Sequence, residues 1–153
     1  MLNIKKILID FDGVLTDGKI FYTHDAQQFK GTNSRDIRAI KELISNGFEV
    51  VIITASKWPG SINFAKKTGA EVVVYRVKKD YVATITEPFA AIGDDVWDFE
   101  MLTKADYAFA PSDCDDLIHT IPNINILDCK GGEGVISKLV TYILNHETQQ
   151  PHC

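Results

Sequence analysis

The stretch Asp10-Phe11-Asp12-Gly13-Val14-Leu15-Thr16-Asp17-Gly18 follows a short apolar run, Lys6-Ile7-Leu8-Ile9. Such a run is typical of a strand that is buried on both faces of a parallel sheet. The carboxylates of Asp10 and Asp12 would then leave the sheet at its carboxyl end, where open α/β sheets bind ligands. Two carboxylates this close repel each other unless a cation or a shared proton compensates, so the stretch predicts a metal site. For the motif taken alone, the alternative is a turn whose aspartates cap the next element.

The composition of this 153-residue chain is that of one globular domain, with 45% hydrophobic and 24% charged residues. No apolar run reaches the length of a bilayer and we see no secretory signal, so we expect a cytoplasmic protein. A net charge of -5 without a cluster of Lys and Arg disfavours nucleic acid and anionic membranes as partners. The three cysteines, Cys114, Cys129 and Cys153, lack C-x-x-C spacing and are predicted to be reduced thiols.

Predicted strands and helices alternate along the rest of the chain. A β-hairpin is predicted at about residues 19–30, and further strands at 48–53, 71–77, 89–92, 107–110 and 125–127. Helices are predicted at 34–46, 59–69, about 80–86, 98–104, 111–120 and 134–143. This alternation predicts a Rossmann-like, three-layer α/β/α parallel sheet. We expect one domain over residues 1–146 and a loose tail over 147–153.

Residues suited to one reaction follow the ends of successive predicted strands. They are Thr54 after the second strand, Lys78 or Lys79 after the third, and Asp94 and Asp95 after the fourth. Because the carboxyl ends of parallel strands share one edge of a sheet, these side chains would surround one crevice with the first motif. Carboxylates and waters form the oxygen shell that Mg²⁺ prefers, and this cation commonly binds a substrate phosphate. An aspartate that attacks phosphorus forms an acyl phosphate, and nearby Thr and Lys side chains stabilise the phosphoryl group.

These motifs resemble those of the haloacid dehalogenase (HAD) superfamily, phosphatases that work through an aspartyl phosphate with Mg²⁺. The resemblance rests on D-x-D at Asp10 and Asp12, on Thr54, on a Lys, and on G-D-D-x-x-D at residues 93–98. It implies that Asp10 is the nucleophile and a metal ligand. It also implies that Asp12 is the acid/base and ligates Mg²⁺ through its backbone carbonyl. Asp94 is implied as a metal ligand.

Longer segments resemble the capless branch of this superfamily, among them D-G-V-L-T-D-G, F-A-P-S-D and G-G-E-G. The resemblance implies a phosphatase without a cap domain that acts on a small anionic sugar phosphate. The implied substrate is 3-deoxy-manno-octulosonate (KDO) 8-phosphate or a nine-carbon ketodeoxy sugar acid 9-phosphate. Contacts with the substrate or its phosphate are implied for Arg35, Thr54 and Ala55. Asp95 is implied either to contact the metal through a water molecule or to support the metal ligands. A homotetramer assembled through the hairpin is implied as well.

The chain also departs from the pattern of this branch. Ile53-Thr54-Ala55-Ser56 stands where I-T-G-R is usual, Trp97 stands where Asn is common, and the segment after the lysines is short. We favour Lys79 as the catalytic lysine because it directly precedes Asp80 at the predicted helix start, with Lys78 as the alternative and a possible phosphate contact. A regulatory or structural subunit that keeps the fold without useful catalysis is the alternative function. The exact sugar is left open.

Overall fold

Six strands pair in parallel in one sheet, and a separate hairpin follows the first strand. The computed structural model describes residues 2–147. The sheet has the order β5-β4-β1-β6-β7-β8. Its strands are β1 (Lys6–Asp10), β4 (Glu49–Thr54), β5 (Glu71–Val74), β6 (Phe89–Ile92), β7 (Tyr107–Pro111) and β8 (Asn125–Leu127). The antiparallel hairpin consists of β2 (Phe21–Tyr22) and β3 (Gln28–Phe29).

The position of β1 in the sheet decides where the site lies. Along the chain the strand order runs outward from β1 through β4 to β5, and then returns to β6 on the other side of β1. In open α/β sheets a ligand-binding crevice forms at such a switch point, beyond the carboxyl ends of the strands. Asp10 pairs with Ile53, so the loops after β1, β4 and β6 meet at this edge.

Helices cover both faces of the sheet, as the alternation predicts. The helices are α1 (Ser34–Ser45), α2 (Pro59–Thr68), α3 (Lys78–Val82), α4 (Phe99–Lys104) and α5 (Val135–Glu147). On one face α1, α2 and α5 pack against a core that contains Ile7 and Ile9, and on the other α3 and α4 pack against a core that contains Leu8. The predicted doubly covered first strand and the three-layer fold without a cap domain are confirmed.

Two helix starts follow their predicted signals. The Asn33 side chain accepts a hydrogen bond from the backbone N–H of Arg35, which caps α1, and Pro59 is the first residue of α2. Gly69 ends α2 with φ +85°, the left-handed conformation that favours glycine. None of the helices within residues 2–147 is long and apolar enough to cross a bilayer, and the cytoplasmic location stays a prediction.

The structure differs from the predicted elements in three places. β5 ends at Val74 rather than Val77, and α3 has five residues. The helix predicted over residues 111–120 is wrong, because turns and one short 3-10 segment, Ile118–Thr120, take its place. Its first backbone N–H groups bond elsewhere: that of Ser112 donates to the Cys129 carbonyl and that of Asp115 to the Asp94 carbonyl. Of the tail predicted over 147–153, residues 148–153 lie outside the described part of the chain, and Glu147 ends α5.

Asp36 joins two helices of the first face. Its carboxylate is fully buried and accepts hydrogen bonds from the backbone N–H groups of Ile136 (2.9 Å) and Ser137 (3.3 Å). Burial raises the pKa of Asp36 to about 6, although these two hydrogen bonds oppose the shift. Asp36 therefore fixes the start of α5 against α1. The glycine-rich loop of residues 131–134, which packs against the loop after β1, directly precedes this start.

Candidate active site

The loop after β1 turns sharply at Gly13. Asp10 is buried at the end of the strand, and Phe11 is buried in the core against two aromatic rings. Gly13 has φ +89°, and a Cβ at this position would lie 1.9 Å from an oxygen of Asp94. Only glycine fits such a backbone conformation and such a close approach. The chain therefore brings the carboxylates at the ends of β1 and β6 together at Gly13.

Thr16 and the glycine-rich loop support this turn from behind. The Thr16 hydroxyl oxygen is buried and accepts from the backbone N–H groups of Gly13 and Gly18, both at 3.2 Å. The backbone N–H of Gly132 donates to the carbonyl of Val14 at 2.9 Å. At Gly131 a Cβ would lie 1.9 Å from the Gly13 carbonyl oxygen, so these glycines serve close packing.

Three carboxylates form an acidic cluster at the base of the site. Asp10, Asp94 and Asp98 each offer one oxygen, and these oxygens lie within 4.8 Å of one another. Asp98 is 1% exposed and accepts from the backbone N–H groups of Asp94 (3.0 Å) and Asp95 (3.2 Å). Among the described residues, the buried Oδ1 of Asp94 has no hydrogen-bond partner. An all-oxygen donor set with an unsatisfied buried oxygen fits a hard cation such as Mg²⁺.

The cluster carries more negative charge than its protein surroundings balance. Burial, and then the charge of Asp98, raises the pKa of Asp10 well above its ordinary value, and the contact with Lys78 offsets this only in part. The same two causes raise the pKa of Asp94 to about 7. A bound divalent cation would favour the ionised form of both groups.

Lys78, not Lys79, reaches the cluster. The Lys78 ammonium is buried, donates to Asp10, and lies 2.5 Å from an Asp98 oxygen. Burial lowers the pKa of Lys78, but the charges of Asp10 and Asp98 outweigh burial and leave it above its usual range. The Lys79 side chain is half exposed and lies 3.6 Å from Glu100.

The preference for Lys79 is therefore corrected. That preference assumed that the helix starts at Lys79-Asp80, whereas α3 begins one residue earlier, at Lys78. Successive helical residues point about 100° apart, so a shift of one residue decides which lysine faces the cluster.

Asp12 is held by a lysine that the sequence analysis did not single out. Both carboxylate oxygens of Asp12 accept from the Lys30 ammonium, at 2.7 and 2.8 Å. The Lys30 side chain is 3% exposed, and its nitrogen lies 5.1 Å from the centre of the Trp58 ring. The signal for this contact is the position of Lys30 just after β3, where the hairpin returns to the motif loop. The Asp12 side chain thus lies outside the acidic cluster, while its implied metal contact is through the backbone carbonyl.

The structure brings most of the predicted site residues to one crevice of about 160 Å³. The predicted residues that line it are Asp10, Asp12, Thr54, Ala55, Lys78 and Asp95. Thr54 is buried, and its hydroxyl oxygen accepts from the Ser56 backbone N–H at 3.1 Å, so its hydrogen remains free to donate. Arg76, Trp97 and Asp98 also line the crevice. Of these, Asp98 ends the G-D-D-x-x-D motif and Trp97 is a departure from the family pattern, whereas no motif in the sequence indicated Arg76.

Asp95 and Arg35 lie outside the acidic cluster, although Asp95 lines the crevice. Asp95 is exposed, and its carboxylate caps the short helix that follows by accepting from the Val96 backbone N–H at 2.6 Å. Arg35 lies on the exposed first turn of α1, with its side chain beside Gly134. It is not among the described residues that line the crevice, so we do not assign it to the site.

Comparisons with known proteins agree with this arrangement. No family model matches the chain. The 3-deoxy-D-manno-octulosonate 8-phosphate phosphatase KdsC of Salmonella typhi is 26% identical over 152 residues, which cover 93% of this chain and 80% of the relative. A HAD-superfamily (subfamily III A) hydrolase from Legionella pneumophila has a TM-score of 0.84 at 24% identity, with 96% of this chain and 85% of that chain covered. The chain has the fold of the HAD phosphatases.

Two further solved structures of HAD-type phosphatases hold metal ions. The cobalt-bound deoxy-D-mannose-octulosonate 8-phosphate phosphatase (YrbI) of Haemophilus influenzae has a TM-score of 0.84 at 26% identity, with 94% of this chain and 88% of that chain covered. The 3-deoxy-D-manno-octulosonate 8-phosphate phosphatase of Moraxella catarrhalis was solved with Mg²⁺, phosphate and KDO. It has a TM-score of 0.84 at 22% identity, with 94% of this chain and 87% of that chain covered.

Proposed function

We propose that this protein is a Mg²⁺-dependent phosphomonoester hydrolase that acts on a small anionic sugar phosphate through an aspartyl phosphate at Asp10. The observation that carries the proposal is the buried contact between Asp10 and Lys78 inside the acidic cluster. The contact supports the proposal because a carboxylate that can act as a nucleophile lies beside an ammonium that can stabilise charge and beside further carboxylate oxygens. The names of the relatives support phosphatase chemistry with KDO 8-phosphate as the substrate. The resemblance of the motifs to the capless branch adds a related nine-carbon ketodeoxy sugar acid 9-phosphate as a second candidate substrate.

Four side chains that line the crevice, Asp10, Asp12, Thr54 and Lys78, have a direct role in this reaction. Asp10 attacks phosphorus, and Asp12 gives a proton to the leaving alcohol and later takes one from the water that hydrolyses the acyl phosphate. Lys30 fixes the orientation of the Asp12 carboxylate through its two hydrogen bonds. Thr54 donates its free hydroxyl hydrogen to a phosphoryl oxygen, and Ala55 lines the same wall. Lys78 stabilises the charge on the phosphoryl group.

Asp10, Asp94 and the backbone carbonyl of Asp12 would hold the Mg²⁺ ion. Asp98 keeps the cluster together through its bonds to Lys78 and to the backbone of Asp94. When bound, the cation supplies positive charge that offsets the repulsion between the carboxylates and an anionic phosphate. A contact of Asp95 with the metal through water stays a prediction.

A panel of sugar phosphates assayed with Mg²⁺, including KDO 8-phosphate, tests the proposed function. We expect turnover of phosphomonoesters, with highest kcat/KM among phosphorylated sugar acids. Inactivity toward every member, in a protein that still binds Mg²⁺, would contradict the proposal. That result would favour the alternative of a HAD-fold regulatory or structural subunit.

Replacement of Lys78 is expected to lower kcat by about 10²- to 10³-fold, because it removes the donor nearest the nucleophile. Lys78→Met is compared with the matched control Lys79→Met, and kcat is measured for both variants with p-nitrophenyl phosphate. The Lys79 variant should keep most of the activity, since the Lys79 charge is already paired with Glu100. The loss of one partner of a buried ion pair costs about 3–5 kcal/mol, so circular dichroism must show that the Lys78 variant is folded.

If Lys78→Met does not fold, Lys78→Arg is used instead. It keeps the buried positive charge but changes the position of the donor groups, so kcat should still fall if Lys78 is the catalytic lysine. A larger loss in the Lys79 variant than in the Lys78 variants would restore the original preference for Lys79.

We further propose that the protein is a homotetramer assembled through the hairpin. Phe21, Tyr22 and Phe29 are 48%, 64% and 52% exposed, and the rings of Phe21 and Phe29 stack at 5.4 Å. A two-stranded hairpin with exposed aromatic side chains is marginally stable unless it packs against another surface. Analytical ultracentrifugation at micromolar concentration should give a tetramer, and a monomer would contradict this proposal.

A further inference from the structure

A second cavity opens beside the catalytic crevice. It has a volume of about 330 Å³, and Arg76, Trp97 and Glu100 are among its lining residues. Arg76, Lys78 and Trp97 line both the cavity and the crevice, so the two spaces are adjacent. A substrate whose phosphate lies at Asp10 can therefore extend its other end into this cavity.

Arg76 is the unbalanced positive charge in this cavity. Lys78 is paired with Asp10 and Asp98, and Lys79 lies 3.6 Å from Glu100. Within residues 2–147 the guanidinium of Arg76 takes part in no ion pair or hydrogen bond, and the residue is exposed. A free guanidinium beside a phosphate-binding crevice can bind a carboxylate with two parallel hydrogen bonds.

Trp97 stands at the boundary between the crevice and the cavity. Its side chain is 74% exposed, the largest value among the exposed large hydrophobic residues of the described chain. A large aromatic side chain in this position offers an apolar face that the C–H groups of a carbon chain can cover. The indole thus provides an apolar surface that the crevice and the cavity share.

We propose that Arg76 and Trp97 form a binding subsite for the carboxylate end of a phosphorylated sugar acid. The phosphate lies at Asp10, the carbon chain crosses Trp97, and the carboxylate pairs with Arg76. This proposal rests on the proposed phosphatase function and adds the residues that select the substrate.

The test compares two substrates with the same six-carbon chain, 6-phosphogluconate and sorbitol 6-phosphate, which differ by a terminal carboxylate. In the wild-type protein kcat/KM should favour 6-phosphogluconate by about tenfold or more, as expected for a charge-assisted pair. In Arg76→Gln this preference should fall to within about twofold, mainly through KM, because the contact is made in the bound substrate. Because Arg76 also lines the crevice, turnover of p-nitrophenyl phosphate, which has no carboxylate, should change in Arg76→Gln by the same factor as that of sorbitol 6-phosphate.

The matched control is Arg38→Gln, which removes one arginine charge from the exposed face of α1, where Arg38 pairs with Glu42. It should leave the substrate preference intact. The subsite proposal would be overturned if the wild type hydrolysed both substrates with equal kcat/KM, or if the preference survived in Arg76→Gln. The phosphatase proposal would still stand in either case if the wild type hydrolysed p-nitrophenyl phosphate.

If no phosphomonoester is hydrolysed, the proposed function fails, and binding measured by tryptophan fluorescence still decides the subsite. Tighter binding of 6-phosphogluconate than of sorbitol 6-phosphate, lost in Arg76→Gln, would support it. Equal binding of the two compounds would overturn it.

Discussion

Asp10→Asn is expected to reduce phosphatase turnover by about 10⁴-fold or more, because it removes the nucleophile that forms the covalent intermediate. An amide has no anionic oxygen to attack phosphorus, although its shape matches that of the carboxylate. The loss should appear in kcat with every phosphomonoester, measured at saturating Mg²⁺. The fold should be retained, since burial already disfavours the charged form of Asp10 and Lys78 keeps its contact with Asp98.

The matched control is Asp17→Asn, the same chemical change in the same loop. Asp17 is exposed, and within the described residues 2–147 its carboxylate contacts only the backbone N–H and the ammonium of Lys19. This variant should keep wild-type turnover within about twofold, as for a surface substitution away from special features. Wild-type rates in Asp10→Asn would show that the nucleophile assignment is wrong.

Removal of divalent cations is expected to abolish turnover, and Mg²⁺ should restore it. Without the cation, the anionic phosphate meets the three carboxylates of the acidic cluster, and the contact with Lys78 offsets their negative charge only in part. Mg²⁺ should also raise the unfolding temperature, because a ligand at 100 times its Kd stabilises the folded state by about 2.7 kcal/mol. Differential scanning fluorimetry of the chelated and Mg²⁺-loaded protein measures this shift independently of activity.

Asp94→Asn should remove both the restored activity and the Mg²⁺-dependent shift. It should not destabilise the metal-free protein, because burial penalises the charge of Asp94 and its pKa is about 7. Asp95→Asn is the comparison, and we expect it to keep most of the shift because its carboxylate caps a short helix. An undiminished Mg²⁺ shift in Asp94→Asn would exclude Asp94 as a ligand, and a lost shift in Asp95→Asn would favour Asp95.

The fold could be predicted because its signals are local. A strand buried on both faces must be apolar at successive positions. Ile7, Leu8 and Ile9 are consecutive apolar residues, and all three are buried. Helix boundaries at Asn33, Pro59 and Gly69 follow from backbone chemistry that acts within one turn. The helix predicted over residues 111–120 did not form because the backbone N–H groups of Cys114, Ile118 and Thr120 donate to carbonyls only three residues back, which makes turns and a short 3-10 segment.

The candidate site could be predicted only in part. The carboxylates after β1 and β6 have a fixed place, because the loops that follow parallel strands share one edge of the sheet. The choice between Lys78 and Lys79 depends on a one-residue difference in where α3 begins. A boundary of this kind is the least certain part of any assignment from sequence.

The sequence by itself determined the layered α/β architecture and the carboxylates at the ends of its strands, since periodicity and strand order are properties of neighbouring residues. Only the tertiary structure decided which charges meet: Lys30 with Asp12, and Lys78 with both Asp10 and Asp98. These contacts join residues that are 18 to 68 positions apart in the chain. Their distances depend on how helices and loops pack over the sheet, and no local pattern of residues encodes that packing.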